Sequence, residues 1–231
     1  MNAQDKITAY WSGHAPAYDA YQQRPERLAD NTRAWSAVWR DALGEEKRDV
    51  LDVGTGTGHA AMILAALGHR VTGIDLADGM LAEARRHAAT VTAGPEFMQG
   101  DAVAPDFPPA SFDAIAARYV MWTLREPEVA VANWMRLLRP GGIIAVVDST
   151  WHTGGLQAST DRFAAHYDAE VGAALPLAEA ASIDDTAAVL DRAGLTDVTV
   201  TPLLAIYELD EKYGVAPGHQ IQMQYAVTGL V

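Results

Sequence analysis

From about residue 50 onward, short apolar runs rich in Val and Ile alternate with alanine-rich stretches whose apolar residues recur every three or four positions. A strand covered on both faces needs such a run, and a helix lying on it needs one apolar stripe. The alternation therefore argues for βα units on a parallel sheet. It places strands at 49–53, 71–75, 96–99, 112–117 and 143–149. The first intervening helix runs to about residue 67, where Gly68 supplies a left-handed cap. The next takes Asp78 as its N-cap and aligns Met80, Leu81, Ala84 and Ala88 on one face. A third spans 127–138, with Pro127 in its first turn and the Pro140-Gly141-Gly142 turn at its end.

Past the fifth strand the rhythm breaks. Residues 151–181 are helical in composition but carry Gly154, Gly155 and Pro176, which reads as a cap inserted before a last helix at 183–193, closed by Gly194. Residues 198–207 and 220–230 then alternate with period two across a turn-rich loop, the pattern of an antiparallel hairpin on the sheet edge. At the other end, 7–43 is aromatic and mostly helical, a second covering element. The expected organisation is one α/β domain: a helical leader (1–45), a core (46–150), a cap (151–182), and a last helix with the hairpin (183–231).

Composition changes this picture little. The chain of 231 residues fits a single α/β core. With no cysteine, disulfides, thiolate ligands and a cysteine nucleophile are excluded. The formal charge of −13 and the scattered arginines oppose a phosphate backbone or an anionic membrane as partner. No apolar stretch is long enough to span a bilayer and the first residues do not read as a secretory signal, so a cytoplasmic protein is expected.

The chemistry gathers at Val50-Leu51-Asp52-Val53-Gly54-Thr55-Gly56-Thr57-Gly58. An apolar strand ends in an acid, and alternating glycines then let backbone approach a ligand before a helix begins with its N–H groups unpaired. A glycine-rich turn alone also occurs without any ligand. Here, however, Asp75 ends the second strand, where an acid can accept from both hydroxyls of a ribose, and Gly100-Asp101-Ala102 follows the third. The ends of adjacent parallel strands lie side by side, so Asp52, Asp75 and Asp101 should converge on one crevice.

These motifs, with Gly73-Ile74-Asp75 and with Leu137-Leu138-Arg139-Pro140-Gly141-Gly142 leading into the fifth strand, closely resemble the class I S-adenosylmethionine (SAM)-dependent methyltransferases over about residues 50–150. The resemblance implies a Rossmann-like, seven-stranded, mostly parallel sheet with helices on both faces. It implies SAM as cofactor, S-adenosylhomocysteine (SAH) as product and a small-molecule acceptor. The cofactor residues it implies are Trp11, Tyr18, Asp52, Gly54, Thr55, Gly56, Gly58, Asp75, Leu76, Met80, Asp101, Ala102 and Arg118. Among them the glycines border the methionine part, Asp75 holds the ribose, Leu76 packs on the adenine and Asp101 accepts from its amino group. Trp11 and Tyr18 would close over the sulfonium through their ring faces.

The 117–122 segment after the fourth strand faces the transferable methyl in this family. Tyr119, Trp122, His152 and His166 are therefore expected at the acceptor, with Tyr119, His152 and His14 as the candidates for proton transfer. Many bacterial relatives carry His at the position of Tyr119; if that position supplies a base in the family, the base here is weaker or absent. His59, His69, His87 and His219 are expected in exposed or capping roles. No His/Asp/Glu group has metal-ligand spacing, so no metal is expected. The acidic, alanine- and arginine-rich, cysteine-free chain suits a bacterial enzyme of specialised metabolism, as a monomer or homodimer. Gly56-Thr57-Gly58-His59-Ala60-Ala61 also fits the dinucleotide fingerprint, so an NAD-dependent oxidoreductase is one alternative. A SAM-binding protein without turnover is the other.

Overall fold

The computed structural model describes residues 1–156, 161–216 and 220–231. Within them lie α1 (Ala3–Gln22), α2 (Pro25–Leu43), β1 (Asp49–Val53), α3 (His59–Ala66), β2 (Arg70–Asp75), α4 (Asp78–Ala88), β3 (Glu96–Gln99), β4 (Phe112–Arg118) and α5 (Pro127–Leu137). They continue through β5 (Leu138–Asp148), α6 (Asp161–Ala164), α7 (Ala169–Ala173), α8 (Asp184–Ala193), β6 (Thr196–Pro202), α9 (Leu204–Tyr213) and β7 (Tyr225–Leu230). Residues 157–160 of the cap, and His219, lie outside the described residues.

The sheet has seven strands in the order β3-β2-β1-β4-β5-β7-β6, and the pairs among β1 to β5 are parallel. β7 runs antiparallel to both β5 and β6. The chain order reverses between β1 and β4, and in open α/β sheets that switch point opens the crevice that takes ligands. Successive residues of the central strands supply opposite cores. In β4, Ile115 faces the side filled by Trp134, Leu137 and Leu190, while Ala114 and Ala116 face the side filled by Trp35, Trp39 and Leu64. This is why the strands read as unbroken apolar runs instead of alternating ones.

Three expectations need correction. Asp78 is the first residue of α4 and not its N-cap; Ala77 holds that position, and its N–H donates to the Asp75 carboxylate at 2.8 Å. β5 starts at Leu138, directly out of α5, so Pro140-Gly141-Gly142 lies within it, and the Gly141 N–H donates to the Val231 carbonyl at 3.0 Å. The period-two stretch 198–207 is strand only to Pro202, after which α9 follows. Leu203, Ile206 and Asp210 are the buried positions there, spaced three and four apart, and that helical stripe outcompetes the short alternation. The two last strands still pair antiparallel, but β7 sits inside, next to β5, and β6 forms the largely exposed edge.

The leader is tied down at both ends. Its α1 starts with a capping box between Asn2 and Asp5, and Lys6 pairs with Asp168 (2.7 Å) and Glu170 (2.6 Å) of the cap. Farther along, Asp19 meets Arg86 at 2.6 Å and His87 at 2.7 Å on α4. The α1–α4 contact is close because Gly79 has no side chain: a Cβ there would collide with the Ser12 carbonyl. Gly79→Ala should therefore push α1 off α4 at an overpacking cost of about 1–3 kcal/mol, read as a lower denaturation midpoint. An unchanged midpoint would mean that α1 is not seated there.

Candidate active site

A cavity of about 810 Å³ lies over the carboxyl ends of β1, β2 and β4, beneath α1, with walls from α2, the cap and α9. That volume lies well within the range of small-molecule sites, roughly 300–1,000 Å³. Its floor is the glycine turn, where Gly54 and Gly56 take left-handed φ values of 61° and 57°. A Cβ on Gly54 would come 2.6 Å from Val120 Cγ2, so that glycine is needed by the protein itself. A Cβ on Gly56 would meet nothing nearer than Met80 Sδ at 4.0 Å; this position faces the open cavity. Gly58 does not line the cavity. It caps α3, and a Cβ there would come 2.8 Å from Phe97, so its constraint is the packing of the turn on β3 and α4.

The three strand-end acids converge as their register requires. Asp75 accepts from the Gly56 N–H at 2.9 Å and from the Ala77 N–H at 2.8 Å, which fixes the turn and leaves each oxygen a further lone pair. Asp101 accepts from the Val103 N–H at 2.8 Å. Asp52, 1% exposed, accepts from the Thr55 hydroxyl at 2.6 Å, and burial pushes its pKa up to about 7. Leu76, Ala77, Met80 and Ala102 complete this half of the lining.

Across the turn stands Arg118, its guanidinium 3.9 Å from the ring centre of Tyr119 and 4.5 Å from that of Trp35. It reaches the Tyr18 hydroxyl at 3.5 Å, and no carboxylate pairs with it among the described residues. Tyr119 itself sits at φ 62°, uncommon for a bulky residue and a form of backbone strain that clusters at functional sites. Its hydroxyl donates to Gln224, whose amide donates to Asp210 at 3.0 Å, and Asp210 pairs with Arg27 at 2.7 Å.

The other half of the cavity is aromatic. Trp122 stands 5.0 Å from His152, which stacks on Phe163 at 5.2 Å, and Trp151 lies edge-on to Tyr119 at 4.8 Å. Trp11 donates to the Tyr167 hydroxyl at 2.8 Å and meets Tyr18 at 5.9 Å; His14 stacks on Tyr10 at 5.2 Å. All of these except Tyr167 line the cavity. His166 does not: it lies against the Tyr10 ring at 5.5 Å, outside the lining, so its expected place beside an acceptor is not what the fold gives it.

Several lining residues escape sequence reading: Arg27 and Asn31 from α2, Asp210 from α9, and Gln222 and Gln224 before β7 carry no motif, and His59, within the Gly56–Ala61 stretch, was expected only in an exposed or capping role. The remaining histidines are also more engaged than expected. His59 lines the cavity, His69 is buried and accepts from the Arg48 N–H at 3.2 Å, and His87 meets Asp19. Folding further brings Asp19, Glu83 and His87 together within common reach of an ion. There the guanidinium of Arg86 already supplies the positive charge, 2.6 Å from Asp19 and 2.7 Å from Glu83.

Burial pushes the Tyr119 phenol well up from its ordinary pKa, although Arg118 opposes the shift. The hydroxyl therefore carries its proton at neutral pH in the ligand-free cavity. Tyr119→Phe should keep turnover within about tenfold, a loss of about 1.4 kcal/mol that a hydrogen bond covers, with an unaltered pH profile between about 6 and 9. Loss of a basic limb from that profile would restore Tyr119 as a base.

With this geometry in place, the relatives are informative. Residues 51–146 match the family described as methyltransferase domain. The phosphatidylethanolamine N-methyltransferase of Cereibacter sphaeroides is 35% identical over 150 residues, 63% of this chain and 71% of that protein. The demethylmenaquinone methyltransferase of Renibacterium salmoninarum is 32% identical over 152 residues, 65% of this chain and 62% of the relative. That of Thermus thermophilus is matched over 50% of its length. Among solved structures, a SAM-dependent methyltransferase from Thermotoga maritima superposes with a TM-score of 0.63, covering 96% of this chain and 98% of that one at 16% identity. The [4+2]-cyclase SpnF superposes at 0.61, covering 86% and 80% at 20% identity, so the fold alone is shared. The chain belongs to the class I SAM-dependent methyltransferases.

Proposed function

We propose that the cavity holds SAM and that the protein moves its methyl group to a small-molecule acceptor, releasing SAH. The observation that carries this reading is the convergence, in one crevice, of the open face of Gly56 with the carboxylates of Asp75 and Asp101. Asp75 keeps lone pairs for two ribose hydroxyls while its backbone partners hold the turn. Leu76 and Met80 offer apolar surface to the adenine, and Asp101 an acceptor for its amino group. Arg118, a cation resting on two aromatic rings without a carboxylate partner among the described residues, suits the amino-acid carboxylate. Trp11 and Tyr18, lining the cavity from the roofing helix, would close over the sulfonium through their ring faces.

SAM supplies both the leaving group and the activated carbon. What the chain has to add is alignment and a dry pocket. The roof α1 and the ring cluster of Trp122, His152 and Phe163 do both, and they favour a flat, largely apolar acceptor with its nucleophile directed toward Tyr119 and Trp151. The relatives, a demethylmenaquinone methyltransferase among them, support a small-molecule acceptor. With the Tyr119 phenol held protonated, His152 and His14 are the basic side chains of this half that could take a proton.

The test is to incubate the protein with methyl-labelled SAM and a panel of hydroxylated and aminated aromatic acceptors. Label should appear in one class of acceptor with equimolar SAH. Bound SAM with no SAH from any acceptor would leave only a binding protein, and preferential binding of NAD would replace the reading altogether.

A further inference from the structure

Arg27 and Asn31 lie one turn apart on α2, and both line the cavity. The Arg27 Nε–H donates to Asn31 Oδ1 at 3.3 Å. A guanidinium only donates, so Asn31 must give it the oxygen and turn its NH2 elsewhere. That NH2 lies 3.2 Å from His59 Nε2. Nε2 therefore accepts, and in a neutral imidazole the single proton then sits on Nδ1. Burial first, and then the positive charges of Arg118 and Arg27, hold the His59 pKa well below its ordinary value, which keeps the ring neutral.

The consequence is a donor left over. His59 Nδ1 is buried and has no hydrogen-bond partner among the described residues, a costly state for a donor unless a ligand meets it. His59 opens α3, whose first turn favours negative charge, and its ring stands edge-on to Trp35 at 5.7 Å. The same indole carries Arg118 on its face at 4.5 Å, and Arg118 Nε also lacks a partner. Two unsatisfied donors thus flank one indole beside a helix N-terminus, a complement to a carboxylate.

We infer that His59 is a cofactor-binding residue whose Nδ1–H, fixed in that tautomer by Arg27 through Asn31, donates to the amino-acid carboxylate of SAM beside Arg118. The inference rests on the cavity being the SAM site, and it adds a tautomer relay from α2 that neither motif nor spacing reveals. It also explains why α2, remote in sequence from the glycine turn, presents a polar side chain to the first residue of α3.

The probes are SAH and 5′-methylthioadenosine, which shares the adenosine and lacks the amino-acid tail. By calorimetry, His59→Phe, which keeps a ring against Trp35, should bind SAH about tenfold more weakly and 5′-methylthioadenosine within about twofold of the wild type. His59→Gln, with an amide donor, should recover part of the SAH affinity. Nitrogen NMR of histidine-labelled protein should show a protonated Nδ1 whose signal shifts with SAH and not with 5′-methylthioadenosine. Unchanged SAH affinity in His59→Phe overturns the inference, and so does equal weakening of both ligands, which marks a ring that only supports α3. A wild type that binds neither ligand overturns the SAM reading itself.

Discussion

Gly56→Val should remove measurable SAH binding, by at least about 100-fold, from a protein that still unfolds in one cooperative transition. The nearest atom to a Cβ at this position is Met80 Sδ at 4.0 Å, so a side chain enters open cavity and meets no protein wall. The backbone stands at φ 57°, where a branched residue costs roughly 1–2 kcal/mol of strain, too little to unfold a domain of ordinary stability. The isopropyl group would then occupy the space assigned to the cofactor. Gly54→Val is the informative contrast. Its Cβ would lie 2.6 Å from Val120 Cγ2, so it should fail by misfolding the turn. Equilibrium dialysis with denaturation curves separates the two outcomes. Normal SAM-dependent turnover by a folded Gly56→Val protein would show that the cofactor is not on this turn.

Asp75→Ala is expected to weaken SAH by about 1.5–3 kcal/mol, roughly 10- to 150-fold, because a carboxylate accepting from two ribose hydroxyls would be lost. The same change strands the Gly56 and Ala77 N–H groups that now donate to Asp75 at 2.9 and 2.8 Å, which loosens the turn as well. Asp75→Asn keeps an acceptor oxygen and should lose less. Calorimetry on the three proteins checks the order, and unchanged affinity in Asp75→Ala would remove the ribose assignment.

The half of the cavity proposed for the cofactor was legible in the sequence because its chemistry is local. A glycine turn and acids at strand ends follow from strand positions, and those positions follow from apolar runs. Gly58 shows the limit even there: its spacing marks it as part of the turn, but Phe97 and Ala84, distant in sequence, decide that its constraint is packing. The polar wall was not legible. Arg27, Asn31, His59, Asp210 and Gln224 come from four separate regions and carry no shared motif, so only the fold brings them together. α9 was concealed for another reason. Residues 198–207 satisfy period two, and only the burial of Leu203, Ile206 and Asp210 reveals the helical stripe.

The half proposed for the acceptor follows neither rule. Its aromatic residues resemble ordinary core in sequence, and the fold divides them: Trp122, His152 and Phe163 line the cavity, while Tyr167 and His166 stand behind it. Aromatic content alone cannot make that distinction, since buried rings dominate packing wherever they fall.

A crystal structure of the protein grown with SAH will show directly where the cofactor binds. One SAH per chain is expected in the cavity beneath α1, with both ribose hydroxyls within about 3.2 Å of the Asp75 carboxylate and the sulfur end toward Tyr119. Its amino-acid carboxylate should lie between Arg118 and His59. SAH bound away from the glycine turn, or a cavity that stays free of it at saturating concentration, would place the cofactor site elsewhere.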